Sequence, residues 1–228
     1  MTTALQTRRG LATSGVTSCS LIVTSLIVTS LMTGCLGPRP DTRRYYGLGP
    51  EALPSRESKA PLTGGLVVPT FEVQSTHDRQ RMCERVGPVE VSFPRDHLWV
   101  DRPQRLLTQR MVTYLQGAGL FARVATTFDA GHPQWVLRGT LLAAEVLPKG
   151  DTWSTRLALR LALRDAKTGQ VVWARSWDLK RGAKSNDHAA AAQAISRSYG
   201  QALAEVSKGL KEAVTKRESL TEPAPATQ

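Results

Sequence analysis

From Thr155 to Arg164 the chain puts Leu157, Leu159, Leu161 and Leu163 at every second position, with Arg156, Ala158, Arg160, Ala162 and Arg164 between them. A helix would scatter those leucines around its circumference, whereas a pleated strand gathers them on one side. The chain must therefore contain a sheet with one dry face, and something apolar must cover that face. Asp165–Gln170 then supplies turn residues, and Val171 to Leu179 returns as the hairpin partner, with Trp173 and Trp177 on one side. Upstream, Trp135 to Val146 reads as a long apolar strand.

The cover is legible as well. Asp187 is a good N-cap, and from His188 to about Thr215 the residues Ile195, Tyr199, Ala202, Val206, Leu210 and Val214 recur every three or four positions. A second helix is expected after Pro103, where a first turn tolerates proline, with Leu106, Leu107, Met111, Tyr114 and Leu115 at helical spacing and Gly117 and Gly119 as its stop. Weaker strand signals lie at Gly65–Val73 with a break at Pro69, at Arg81–Val91 with a break at Gly87-Pro88, at His97–Val100, and from Leu120 to Val124. The order strands, helix, strands, helix predicts an α/β (α+β) fold: a mixed β-sheet with helices packed mainly on one face.

Before the domain stands a leader. Arg8 and Arg9 precede an apolar run, Leu21 to Met32, and no acid occurs before Asp41. Twelve helical residues rise roughly 18 Å against the ~30 Å hydrocarbon core, which fits a signal peptide and not a permanent span. The run ends in Met32-Thr33-Gly34-Cys35, where small residues before a cysteine suit a lipoprotein signal peptidase, so Cys35 is the expected lipidation site. Thr7–Ala12 contains the twin arginine, and the export route stays open between Sec and twin-arginine. Leu36, and not aspartate, follows the cysteine, which by the lipoprotein sorting rule gives an outer-membrane address on the periplasmic face. The expected division is residues 1–34 signal peptide, 35–64 lipidated tether, 65–216 α/β domain and 217–228 disordered tail. In the tether, Tyr45, Tyr46 and Leu48 are costly to leave wet, so they are expected to dock on the domain or on a partner.

No GxSxG, Walker, GxGxxG or HExxH signature occurs, and His77, His97, His132 and His188 follow no ligand spacing. Cys83 reads as a small packed residue, and Glu72, Glu90, Glu145 and Glu205 as isolated carboxylates. Catalysis, metal and cofactor are not expected. The formal charge of the whole chain is +11, and the mature chain keeps 28 − 19 = +9. Arg156, Arg160 and Arg164 read as a solvated sheet face, or as an attraction for anionic headgroups or an acidic partner. Nucleic acid is not expected, because aromatics are not interleaved with the charges.

These pieces taken together resemble a known family. The lipobox cysteine is followed by Arg44, Tyr45, Tyr46 and Leu48, then by an early strand with proline, and by a tryptophan ahead of the helix segment Arg102–Phe121. The Trp-bearing hairpin Asp165–Trp177 and the final Ala-rich helix complete a likeness, from Cys35 to Val214, to the ABC-type transport auxiliary lipoproteins (PqiC-like). The resemblance implies a non-catalytic adaptor in the cell envelope, with ABC transporter and MCE-family components as partners in lipid transport. A homo-oligomer is compatible with it. A lipoprotein regulator of secretion or of peptidoglycan synthesis, built on a similar small α/β domain, stays open beside it, as does an unrecognised hydrolase.

Overall fold

The computed structural model describes residues 42–49, 62–127 and 133–221. The alternating segment is the strand at the centre of the second half. In chain order the strands are β1 (Arg44–Tyr46), β2 (Leu62–Val67), β3 (Glu72–Val73), β4 (Cys83–Arg85), β5 (Val91–Ser92) and β6 (His97–Trp99), then, after helix α1 (Pro103–Ala118), β7 (Phe121–Ala125), β8 (Trp135–Lys149), β9 (Thr152–Asp165) and β10 (Val171–Gly182). Helix α2 (His188–Thr221) closes the chain. The main sheet runs β10-β9-β8-β2-β7, and its last three neighbours pair in parallel while β8, β9 and β10 form an antiparallel meander.

The row Leu157, Leu159, Leu161 and Leu163 is fully buried. Trp177 of β10 sits opposite Leu159 on the same face, and its indole donates to Glu205 of α2 at 2.9 Å, so the leucine row and α2 share one side of the sheet. Ile195, Tyr199, Ala202, Val206, Leu210 and Val214 supply the helix half of that core. The Tyr199 hydroxyl donates to the Leu107 carbonyl at 2.7 Å and locks α2 onto α1. Gly209 sits mid-helix because a Cβ there would meet the Trp173 indole at 2.5 Å. Gly119 ends α1 in the left-handed region with φ 61°.

Several elements differ from the sequence expectation. Gly65–Val73 is not one strand: it begins at Leu62 and divides into β2 and β3 around Pro69, which has no N–H to give to a ladder. Val67 pairs with Val136 and Glu72 with Thr140, so five steps on one side match four on the other. With β4, which places Cys83 beside Glu145, three short segments line one edge of β8 in turn. Gly117 lies inside α1, and only Gly119 stops it. Helix α2 continues beyond Thr215 to Thr221, so the segment expected to be tail from residue 217 starts as helix; Lys216, Arg217, Glu218 and Leu220 are good helix formers. The signal peptide, Cys35, most of the tether, His132 and residues 222–228 lie outside the described residues.

Candidate functional site

The aromatic pair of the expected tether begins a strap of six residues laid on the domain. β1 pairs in parallel with β6, Tyr46 opposite Trp99, and the bonds from Arg44 N–H to the Asp96 carbonyl (2.7 Å) and from Val100 N–H to the Tyr46 carbonyl (2.9 Å) close it at both ends. Alternation sends Tyr45 outward, 53% exposed, and Tyr46 inward. Leu48 then packs against the core, where it lines a small apolar pocket together with Trp99, Pro103, Leu106, Leu107, Leu157 and Ile195. The Gly49 N–H donates to Ser196 Oγ at 2.9 Å. The strap thereby touches sheet, α1 and α2 within six residues.

Beneath Tyr46 lies a stack of rings that the sequence conceals. The Tyr46 hydroxyl is 2.8 Å from His97 Nδ1, and the His97 and His188 rings lie face to face with centroids 3.6 Å apart. Trp153 meets His188 edge-on at 5.1 Å, and His188 Nε2 reaches Glu84 Oε1 at 2.7 Å. Burial, then the neighbouring His188 and Arg44, push His97 below its ordinary pKa. Burial likewise pushes the Tyr46 phenol up. Two of the scattered histidines are thus brought together from positions 91 residues apart, joining the strap to the start of α2.

Glu145, expected to be isolated, is not. It is 1% exposed, takes Arg85 Nε at 2.9 Å as one of two bonds from that guanidinium, and has His77 at 3.6 Å and Arg156 at 3.8 Å. Burial opposes its ionisation, but the Arg85 hydrogen bond and charge, with His77 and Arg156, hold its carboxyl below the usual value. His77 is pushed down chiefly by burial. Glu205 also has mates, Trp177 and Arg175, and Glu72 lies 4.0 Å from Arg138. Burial, then Glu145, raises the Cys83 thiol to about 11, so at neutral pH it is a protonated packed group. Among the described residues no three His, Cys, Asp or Glu side chains are grouped to hold a metal, and no helix is long and apolar enough to cross a membrane.

Solved structures share this fold. A Xanthomonas campestris protein of family DUF330 superposes with TM-score 0.67 at 20% identity, covering 78% of this chain and 99% of that one. A second, uncharacterised protein does so with TM-score 0.59 at 13% identity, covering 74% and 98%. At these identities the likeness is one of fold. Among curated proteins none matches the chain. The model of the ABC-type transport auxiliary lipoprotein component matches residues 46–207, and the chain belongs to that family. The match opens on Tyr46, the residue that seats the strap.

Proposed function

We propose that the protein is a lipoprotein anchored through Cys35 to the periplasmic face of the outer membrane, serving as the non-catalytic adaptor of an ABC/MCE-type lipid transport system. The family membership across residues 46–207 carries this reading. The leader ending at Cys35 and the Leu36 beside it support the anchor and its address. The strap adds a mechanical reason. With residues 44–49 seated on the domain, about eight residues separate Cys35 from the folded body, a reach of roughly 26–29 Å at full extension. A tether that short confines the domain to one leaflet and raises its effective concentration for a periplasm-spanning partner. Tyr45, exposed on the strap, is the side chain offered to that partner, while Tyr46 and Leu48 hold the strap down.

The test is a crosslinking pull-down of the lipidated protein from envelope. Recovery of an MCE-family protein with its ABC components is expected, and its repeated absence would defeat the proposal. Mass spectrometry of a Cys35→Ala protein should show the lipid mass gone; an unchanged mass would remove the anchor.

A further inference from the structure

Four guanidinium groups rise from the helix-free face of β8 and β9: Arg138, Arg156, Arg160 and Arg164. At one end they are neutralised. Arg156 donates to both carboxylate oxygens of Asp178 at 2.8 Å and lies 3.8 Å from Glu145. At the other end they are not. Among the described residues Arg160 has no hydrogen bond or ion pair, and Arg164 donates only to the Gly169 carbonyl, at 3.0 Å. Arg138 has one carboxylate, Glu72, at 4.0 Å, with both side chains more than half exposed. A pair that loose and wet contributes little.

The register brings these three cations together. Arg160 and Arg164 flank Ala162, each roughly 6.5–7 Å away along β9, and Arg138 faces Ala162 across the ladder at about 5 Å. The floor between them is small: Ala162, Thr140 and Gly169. The resulting groove has a volume of about 440 Å³, within the roughly 300–1,000 Å³ of small-molecule sites. Three arginines around one point, with the exposed Glu72 as the one carboxylate lining the groove, leave a positive balance and present forks from three directions. A tetrahedral phosphate carries acceptor oxygens in three directions and can accept from all of them, whereas a carboxylate offers two oxygens in one plane. β9 is paired on both sides at this level, so no strand edge is available for an acidic peptide to join.

We infer that this groove binds a phosphate ester, and that its physiological occupant is the headgroup of an anionic phospholipid. The phosphate chemistry stands on the groove alone; the choice of a lipid as its source rests on the membrane-tethered reading above. The volume leaves room for the glycerol on either side of the phosphorus, with the acyl chains outside.

The experiment uses the full-length protein in non-ionic detergent micelles doped with phosphatidylglycerol or phosphatidylcholine, with affinity read by calorimetry. Saturable binding of phosphatidylglycerol is expected, and Arg160→Gln/Arg164→Gln should weaken it at least about 10-fold by removing two charge-assisted donors. Lys211→Gln/Lys216→Gln removes the same charge from α2 and should leave it within about 2-fold. Equal losses in the two double variants would mean net charge alone is at work and would overturn the site. Inorganic phosphate displacing the lipid at equal concentration would overturn the lipid assignment, and stronger displacement by a poly-glutamate peptide would overturn the phosphate chemistry. A failed lipidation at Cys35 is read separately by mass, so the two readings fall independently.

Discussion

Replacing Leu48 by alanine tests whether the strap is held by its side chains or merely follows the backbone ladder. Leu48 is half-buried against the core, beside Trp99, Pro103, Leu106, Leu107, Leu157 and Ile195. Full burial of a leucine contributes about 1.5–3 kcal/mol, and half of that plus a small cavity term gives roughly 1.5 kcal/mol for the truncation. The strap makes few other apolar contacts, so the loss should appear as local opening and not as global unfolding. An extra 1.5 kcal/mol corresponds to about a 10-fold larger opening constant. Hydrogen exchange reads it directly at three amides whose bonds depend on the strap: Arg44 to Asp96, Gly49 to Ser196 and Val100 to Tyr46. Those amides should speed up about 10-fold while the amides of β9 keep their rates. Unchanged strap amides would show that Leu48 holds nothing, and an equal acceleration in β9 would show that the strap and sheet open as one unit.

Gly139 faces Phe71 and Leu161 so closely that a Cβ would lie 2.5 Å and 2.7 Å from their carbons, so Gly139→Ala should cost about 1–3 kcal/mol of overpacking in a urea melt. Glu145→Gln removes the buried carboxylate from the partly exposed Arg85 and Arg156, and should lower stability by about 1–3 kcal/mol at neutral pH. The Glu145 carboxyl is held below its unfolded value, so its contribution is present above pH ~4.5 and lost as pH falls through the folded pKa; the variant's stability should lack that acid limb. His77 and His97 are both pushed below the ordinary value, so the unfolded chain binds more protons near pH 6.5 and stability should rise with pH through that region. A His97→Gln, His77→Gln double variant should flatten this rise in pH-scanned melts. Cys83, buried with its thiol pushed up, should resist iodoacetamide at pH 8 in the native state and react in urea.

The second half of the molecule was legible because its pattern and its packing agree. The leucine row of β9 has one dry face and reads as such, and the stripe of α2 is the surface that dries it. The first half was less so. β3 and β5 are two residues long, and no periodicity exists in two residues; what makes them strands is the strand beside each, β8 for β3 and β4 for β5. The same reason hides the site. His97 and His188 stack because the strap, β6 and the start of α2 converge, and nothing in either local sequence encodes the other ring. Glu145 looks solitary on an apolar strand, and its partners arrive from a turn, from β4 and from β9. Tyr46 and Leu48 stand out by contrast, because two tyrosines and a leucine among Pro, Gly and Arg require an apolar surface from somewhere.

The way β8 borrows its neighbours bears on when the molecule can assemble. Within residues 62–85, each of β2, β3 and β4 has one of its mates on β8, between Trp135 and Val146, and leaves the ribosome well before that mate exists. The meander from Trp135 to Gly182 needs only neighbouring segments and short turns, and loop closure favours it as the first part to order. The apolar segment Leu66, Val67 and Val68 has β7 on one side, and its seat on the meander waits for β8. Parallel pairing across such separations is slow to close, so the docking of β2, β3 and β4 onto β8 is expected as the late step of folding.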